Sequence, residues 1–221
     1  MEQNSSKSNK FKVIRLLAVI FFFTFTYAVL RYNVFKGAPW EELPGYVANK
    51  AIAWTSLISI CLSYLPGLSQ KLGIKLAAGL LPLRKYLGLY GFALASFHIV
   101  LTLSMLTAET FPSLFDGNTI NEKGEYVIMF GLLCLMGLTM PAITSIKAVR
   151  EGMADAKWKQ IQQIGYLALA ANAAHVFAVG YEWWFAPTMW PCFIPPITML
   201  SAALSAIIVA LRLIVLLKYR V

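Results

Sequence analysis

The chain has 221 residues, 59% of them hydrophobic and only 13% charged, with a mean hydropathy of +0.66. A soluble domain carries nearer a quarter of charged residues, so the composition excludes an ordinary water-soluble protein. The net charge of +9 would suit a nucleic-acid binder. However, the cations lie in loops beside apolar runs, where membrane topology accounts for them, and no nucleic-acid partner is expected.

Taken in order, Met1 to Lys12 is polar and basic and is predicted to be a cytoplasmic tail, disordered at its start. Residues 13–221 are predicted to form a single six-helix transmembrane domain. The first apolar run, about Val13 to Leu30, imitates a secretory signal. It is long and no small-residue cleavage site follows, so it reads as a retained span. Pro39 and Pro44 mark a loop. The second span is predicted from about Val47 to Leu65, ending at Pro66-Gly67. Leu76 to Leu83 is too short to span and is placed at the interface. The third span follows from about Tyr86 to Leu106, then an acidic loop with Glu109, Asp116, Glu122 and Glu125. The fourth span is about Tyr126 to Ile146, the fifth about Ile161 to Trp184 and the sixth about Ile197 to Leu217. Tyr181, Trp183, Trp184 and Trp190 cluster at one end of the fifth, as aromatic residues do at a membrane interface.

Six spans put both termini on one side. With the termini placed in the cytoplasm, 15 of the 19 cations are inside, including Lys71, Lys75, Arg84, Lys85 and Arg220. Only Arg31, Lys36, Lys50 and Lys123 are outside. That bias predicts both the span count and the orientation. Cys61, Cys134 and Cys192 have no metal-ligand spacing and imply no disulfide framework.

The chain has two histidines, His98 in the third span and His175 in the fifth. Both spans run in the same direction. By helix rise each imidazole climbs about 18–20 Å from the start of its span, past the midplane of the bilayer. An ionisable group at that depth is costly and marks a functional site by default. Three, seven and ten residues before His98 stand Ala95, Gly91 and Gly88. The same offsets before His175 give Asn172, Ala168 and Gly165. Each helix therefore presents an imidazole above a nearly side-chain-free face. Small residues of this kind also serve simply to let helices pack closely. A buried histidine or Asn172 can equally bond a neighbouring helix. The matched pair favours a flat cofactor with two axial imidazoles, one haem b, with Gly91, Ala95 and Ala168 lining its slot. Zinc would need further ligands at that level.

The strings LRKYLGLYGFALASFH, ending at His98, and WKQIQQIGYLALAANAAH, ending at His175, resemble the ferric reductase-like transmembrane family. The likeness is strongest to the haem-binding membrane subunit of the periplasmic methionine sulfoxide reductase system. It implies a six-helix haem protein of the inner membrane, passing electrons across the bilayer, with His98 and His175 as axial ligands. It also implies a flavin, FMN or FAD, or a quinone on the inner side. Arg84 and Lys85 could hold a flavin phosphate there, although membrane anchoring explains them as well. The family commonly has an earlier histidine where this chain has Gln162. Glutamine is a poor haem ligand, so a second, inner haem is not expected, and Gln162 becomes a candidate neutral contact to a flavin or quinone.

No glycine-rich dinucleotide motif appears. A separate cytoplasmic reductase or the quinol pool is expected as donor, with a periplasmic protein or metal ion as acceptor. A transporter or scaffold without redox chemistry is the alternative that the sequence leaves open.

Overall fold

The computed structural model describes residues 2–74 and 77–219, and for residues 2–6 the backbone alone. Lys75 and Arg220, two of the predicted inside cations, lie outside the described residues, as do Leu76 and Val221. Seven α-helices carry the described chain: α1 (Glu2–Val29), α2 (Ala48–Leu72), α3 (Arg84–Ser104), α4 (Glu122–Thr144), α5 (Lys147–Glu151), α6 (Asp155–Gly180) and α7 (Ile197–Lys218). All except the short α5 belong to stretches long and apolar enough to cross a membrane, six in total. In hydrocarbon each backbone polar group must be satisfied within the protein, which is why these runs are helical. The expected all-α bundle is therefore present. A hairpin pairs β1 (Phe115–Asp116) with β2 (Thr119–Ile120) in the α3–α4 connection.

Both chain ends lie at the same end of the bundle. Tyr219 Oη donates to the Lys71 carbonyl at 2.6 Å, and Lys10 Nζ sits 5.8 Å from the centre of the Tyr86 ring. This is the terminal end; the α3–α4 hairpin marks the far end.

α1 runs from Glu2 to Val29 and takes in both the polar start and the first apolar run. One boundary differs from expectation: the second span does not stop at Pro66-Gly67; α2 continues through them to Leu72 and ends at Gly73, which adopts φ 78°. Proline inside a membrane helix is tolerated where neighbours re-satisfy the disturbed backbone. Here Arg84 Nε donates to the Ser63 carbonyl at 2.9 Å, and its guanidinium lies over Gly67.

Polar side chains fasten the helices together. Ser56 Oγ donates to the Gly91 carbonyl at 2.7 Å, and Ser59 Oγ to the Leu87 carbonyl at 2.8 Å, tying α2 to α3. The Thr24 and Thr55 hydroxyls meet at 2.7 Å between α1 and α2. Such bonds replace the hydrophobic drive that lipid removes. The centre is filled by Leu57, Ile60 and Leu68 of α2, Leu138 of α4, Leu169 of α6 and Ile208 of α7. Phe97, Val100 and Leu103 of α3 instead face outward, as a lipid-facing stripe should. α3 rests chiefly on α2, and α6 on α4 and α7, while direct packing of α3 on α6 is marginal.

Candidate cofactor site

His98 lies six residues before the end of α3 and His175 five before the end of α6. Both are thus about 8–9 Å below the far ends of their helices. The two histidines thus stand at similar distances from the far ends of α3 and α6, on helices that pack chiefly on other neighbours.

Hydrogen bonding fixes the chemical form of each ring. His175 Nδ1 lies 2.8 Å from the Val127 carbonyl on α4. A carbonyl only accepts, so Nδ1 carries a proton, and in the neutral ring Nε2 then keeps its lone pair. His98 Nδ1 lies 2.8 Å from Asn49 Oδ1 at the start of α2. Asn49 Nδ2 donates to Thr102 Oγ1 at 2.8 Å, and Thr102 Oγ1 donates to the His98 carbonyl at 2.9 Å. Neither Nε2 makes a hydrogen bond among the described residues. Two neutral imidazoles with open Nε2 atoms are the donor set that bis-imidazole iron ligation requires. Among the described residues, no cluster of three or more His, Cys, Asp or Glu side chains forms a conventional metal site.

The small residues divide into two kinds. Gly91 is buried in the α2–α3 contact, where a Cβ would stand 2.8 Å from Ile60 Cγ1 and 3.2 Å from the Ser56 carbonyl oxygen. Ala168 is buried against Gly137 of α4. Both therefore serve helix packing instead of facing an open slot. Ala95 is half-buried one turn below His98. Asn172 donates to Ser205 Oγ on α7 at 2.9 Å, so its amide is a helix–helix contact.

A cavity of about 400 Å³ opens at the terminal end and brings Arg84, Lys85 and Gln162 together. Gly88 and Phe92 of α3 form its upper wall, placing its top about 9 Å along the helix below His98. Gln162 Nε2 reaches the Pro141 carbonyl at 3.1 Å and the Thr144 hydroxyl at 3.2 Å, where α4 ends. Trp158 and Arg150 also line the cavity, the guanidinium 4.9 Å from the indole centre. The Trp158 indole N–H is buried without a hydrogen-bond partner among the described residues. A buried donor of this kind costs about 1–3 kcal/mol unless something accepts from it.

Four contributors were not anticipated: Asn49, Thr102, Val127 and Gly131. A Cβ on Gly131 would stand 3.2 Å from His175 Nδ1, so this glycine makes room for the ring on α4. Thr102 carried a visible signal, a hydroxyl one turn after His98 on the same face. Val127 acts through its backbone and leaves no mark in the sequence.

The chain is similar to metalloreductase STEAP2 of Mus musculus, 25% identical over 93% of this chain and 48% of that protein. It matches metalloreductase STEAP2 of Homo sapiens likewise, 25% identical over 91% of the chain and 47% of the relative. The chain thus spans about half the length of the curated relatives it matches. The family description "Ferric reductase like transmembrane component" covers residues 51–173, which run from α2 through the fifth span to just before His175. The chain belongs to the ferric reductase-like transmembrane family, a group of membrane redox proteins.

Proposed function

We propose that this chain carries electrons across a bilayer through one haem b ligated by His98 and His175. The carrying observation is that both rings, at similar heights on their helices, have Nδ1 against an oxygen and Nε2 unengaged among the described residues, on helices that scarcely pack against each other. When bound, the haem would supply reversible one-electron chemistry in a dry setting. The protein's part is to orient two imidazoles, exclude water and hold the helices around them. The proposed orientation puts the termini in the cytoplasm of an inner membrane, so the histidines lie towards the outer side. Quantitative pyridine haemochrome assay of purified protein tests the reading, with one reducible haem per chain expected. Two haems per chain, or none after reconstitution, would refute it.

The terminal-end cavity is the proposed electron entry point. Arg84 and Lys85 supply positive charge for a phosphate, and Trp158 a spare donor. A flavin (FMN or FAD) or a quinone head bound there would accept electrons from a cytoplasmic reductase or the quinol pool. Gln162→Leu is expected to leave the haem spectrum unchanged and to slow reduction by the physiological donor, with dithionite reduction unaffected. Donor-driven reduction as fast as in the parent would remove Gln162 from the site. On the outer side the acceptor is proposed to be a metal ion or a periplasmic reductase protein.

The room that Gly131 leaves beside His175 gives a further expected result. Gly131→Leu should displace the ring and reduce haem content well below one per chain, since α4 cannot hold both side chains in that space. Parent-like haem content in Gly131→Leu would show that His175 is not seated against α4 in the working protein.

A further inference from the structure

The two imidazoles are restrained by different chemistry. His175 bonds a backbone carbonyl, which substitution of that residue cannot remove. His98 bonds a side-chain amide on another helix, at the end of a directed chain of hydrogen bonds.

The direction of that chain can be deduced. The Thr102 hydroxyl has one proton, and it goes to the His98 carbonyl, which can only accept, at 2.9 Å. Towards Asn49, Thr102 Oγ1 must then accept. The group facing it at 2.8 Å is consequently the amide nitrogen of Asn49. That settles which way the Asn49 amide points, an assignment that positions alone leave ambiguous. With Nδ2 committed to Thr102, Oδ1 faces His98 at 2.8 Å, and an amide oxygen accepts only. His98 Nδ1 is thereby obliged to be the donor. The alternative contact, Thr102 Oγ1 to His98 Nδ1, is 3.5 Å long and is the weaker one. Asn49 is buried, so water does not compete readily for these bonds.

We infer that Asn49, with Thr102 behind it, is the positioning residue that locks His98 as its Nδ1–H tautomer and tunes the iron that His98 would bind. It touches neither iron nor porphyrin in this role; it acts through the ring. The inference rests on the haem reading above. A stronger acceptor at Nδ1 makes an imidazole a stronger donor to ferric iron, which lowers the reduction potential. A missing acceptor frees the ring to rotate and to change tautomer. Loss of such an outer partner typically costs roughly 10–100-fold in metal affinity.

Four variants test it on purified protein reconstituted with haem. Asn49→Asp keeps the shape and offers Nδ1 a charged acceptor, with the Thr102 hydroxyl turning to donate to the second carboxylate oxygen; its midpoint potential should move to a more negative value with haem retained. In Asn49→Leu the haem dissociation constant should rise roughly 10–100-fold. Thr102→Val leaves the Asn49 amide unanchored and should weaken haem binding in the same direction by less, with Thr102→Ser restoring it. Should Asn49→Leu fail to fold, the other variants still decide the matter. A purely structural role for Asn49 in joining α2 to α3 would lower thermal stability without moving the potential. Asn49→Asp and Thr102→Val with parent potential and parent haem affinity would therefore overturn the inference. Nitrogen-15 shifts of the His98 ring in haem-free protein give an independent readout: the Nδ1–H form should dominate in the parent and lose its dominance in Thr102→Val. If the parent takes up no haem, the proposed function fails, while the ring shifts still report on the lock.

Discussion

Under the haem proposal, His98→Ala and His175→Ala should each reduce the expected six-coordinate haem spectrum to background. The chain has only two histidines, so no spare imidazole exists to replace either one. Asn172→Ala is the matching control. Asn172 lies one turn from His175, but its amide is spent on Ser205 of α7, so haem content should be unchanged. Absorption of the dithionite-reduced proteins, corrected for protein mass, separates the outcomes. A parent-like spectrum in either histidine variant would dismiss that residue as a ligand.

The second large effect is on stability and contrasts two glycines of one helix face. At Gly91 an added methyl would stand 2.8 Å from Ile60 Cγ1 and 3.2 Å from two backbone atoms of α2, where Ser56 also bonds the Gly91 carbonyl. Backbone cannot move aside as a side-chain tip can, so Gly91→Ala should destabilise the bundle by about 1–3 kcal/mol. At Gly88 the nearest atom to an added methyl is Ser63 Oγ at 3.6 Å, an ordinary contact at the cavity wall. Gly88→Ala should be neutral or stabilising by up to about 1 kcal/mol, because alanine is the better helix former. Thermal unfolding in detergent, followed by circular dichroism, compares the pair. If Gly91→Ala unfolds at the parent temperature, α2 and α3 are not packed as described.

These two cases show what the sequence could and could not reveal. Hydropathy located all six spans, because an apolar run long enough to cross a bilayer has few other uses. The paired histidines were legible for the same reason: an ionisable group in an apolar run stands out. The columns of small residues are one signal that covers two structural uses. Gly91 and Ala168 close helix contacts, whereas Gly88 borders a cavity, and only tertiary packing separates them. The end of α2 was misplaced because Pro66 normally stops a helix, and the support from Arg84 comes from a different helix. Asn49 was hidden differently. Beside Lys50, at the start of a span, it reads as an interface residue, and its buried bond to His98 joins positions far apart in sequence.

The division of the bundle into α2–α3 and α4–α6 contacts has a consequence for biosynthesis. His98 belongs to the first pair and His175 to the second, so neither hairpin alone offers both sides of the proposed haem site. During translation the third span can be seated against α2 long before the fifth has left the ribosome. Under the haem proposal, cofactor capture waits for the fifth span, and iron would act as a clasp joining two prefolded hairpins. Mass action would then make the joined state more durable as haem supply rises, and the abundance of the mature protein should follow haem availability in the cell.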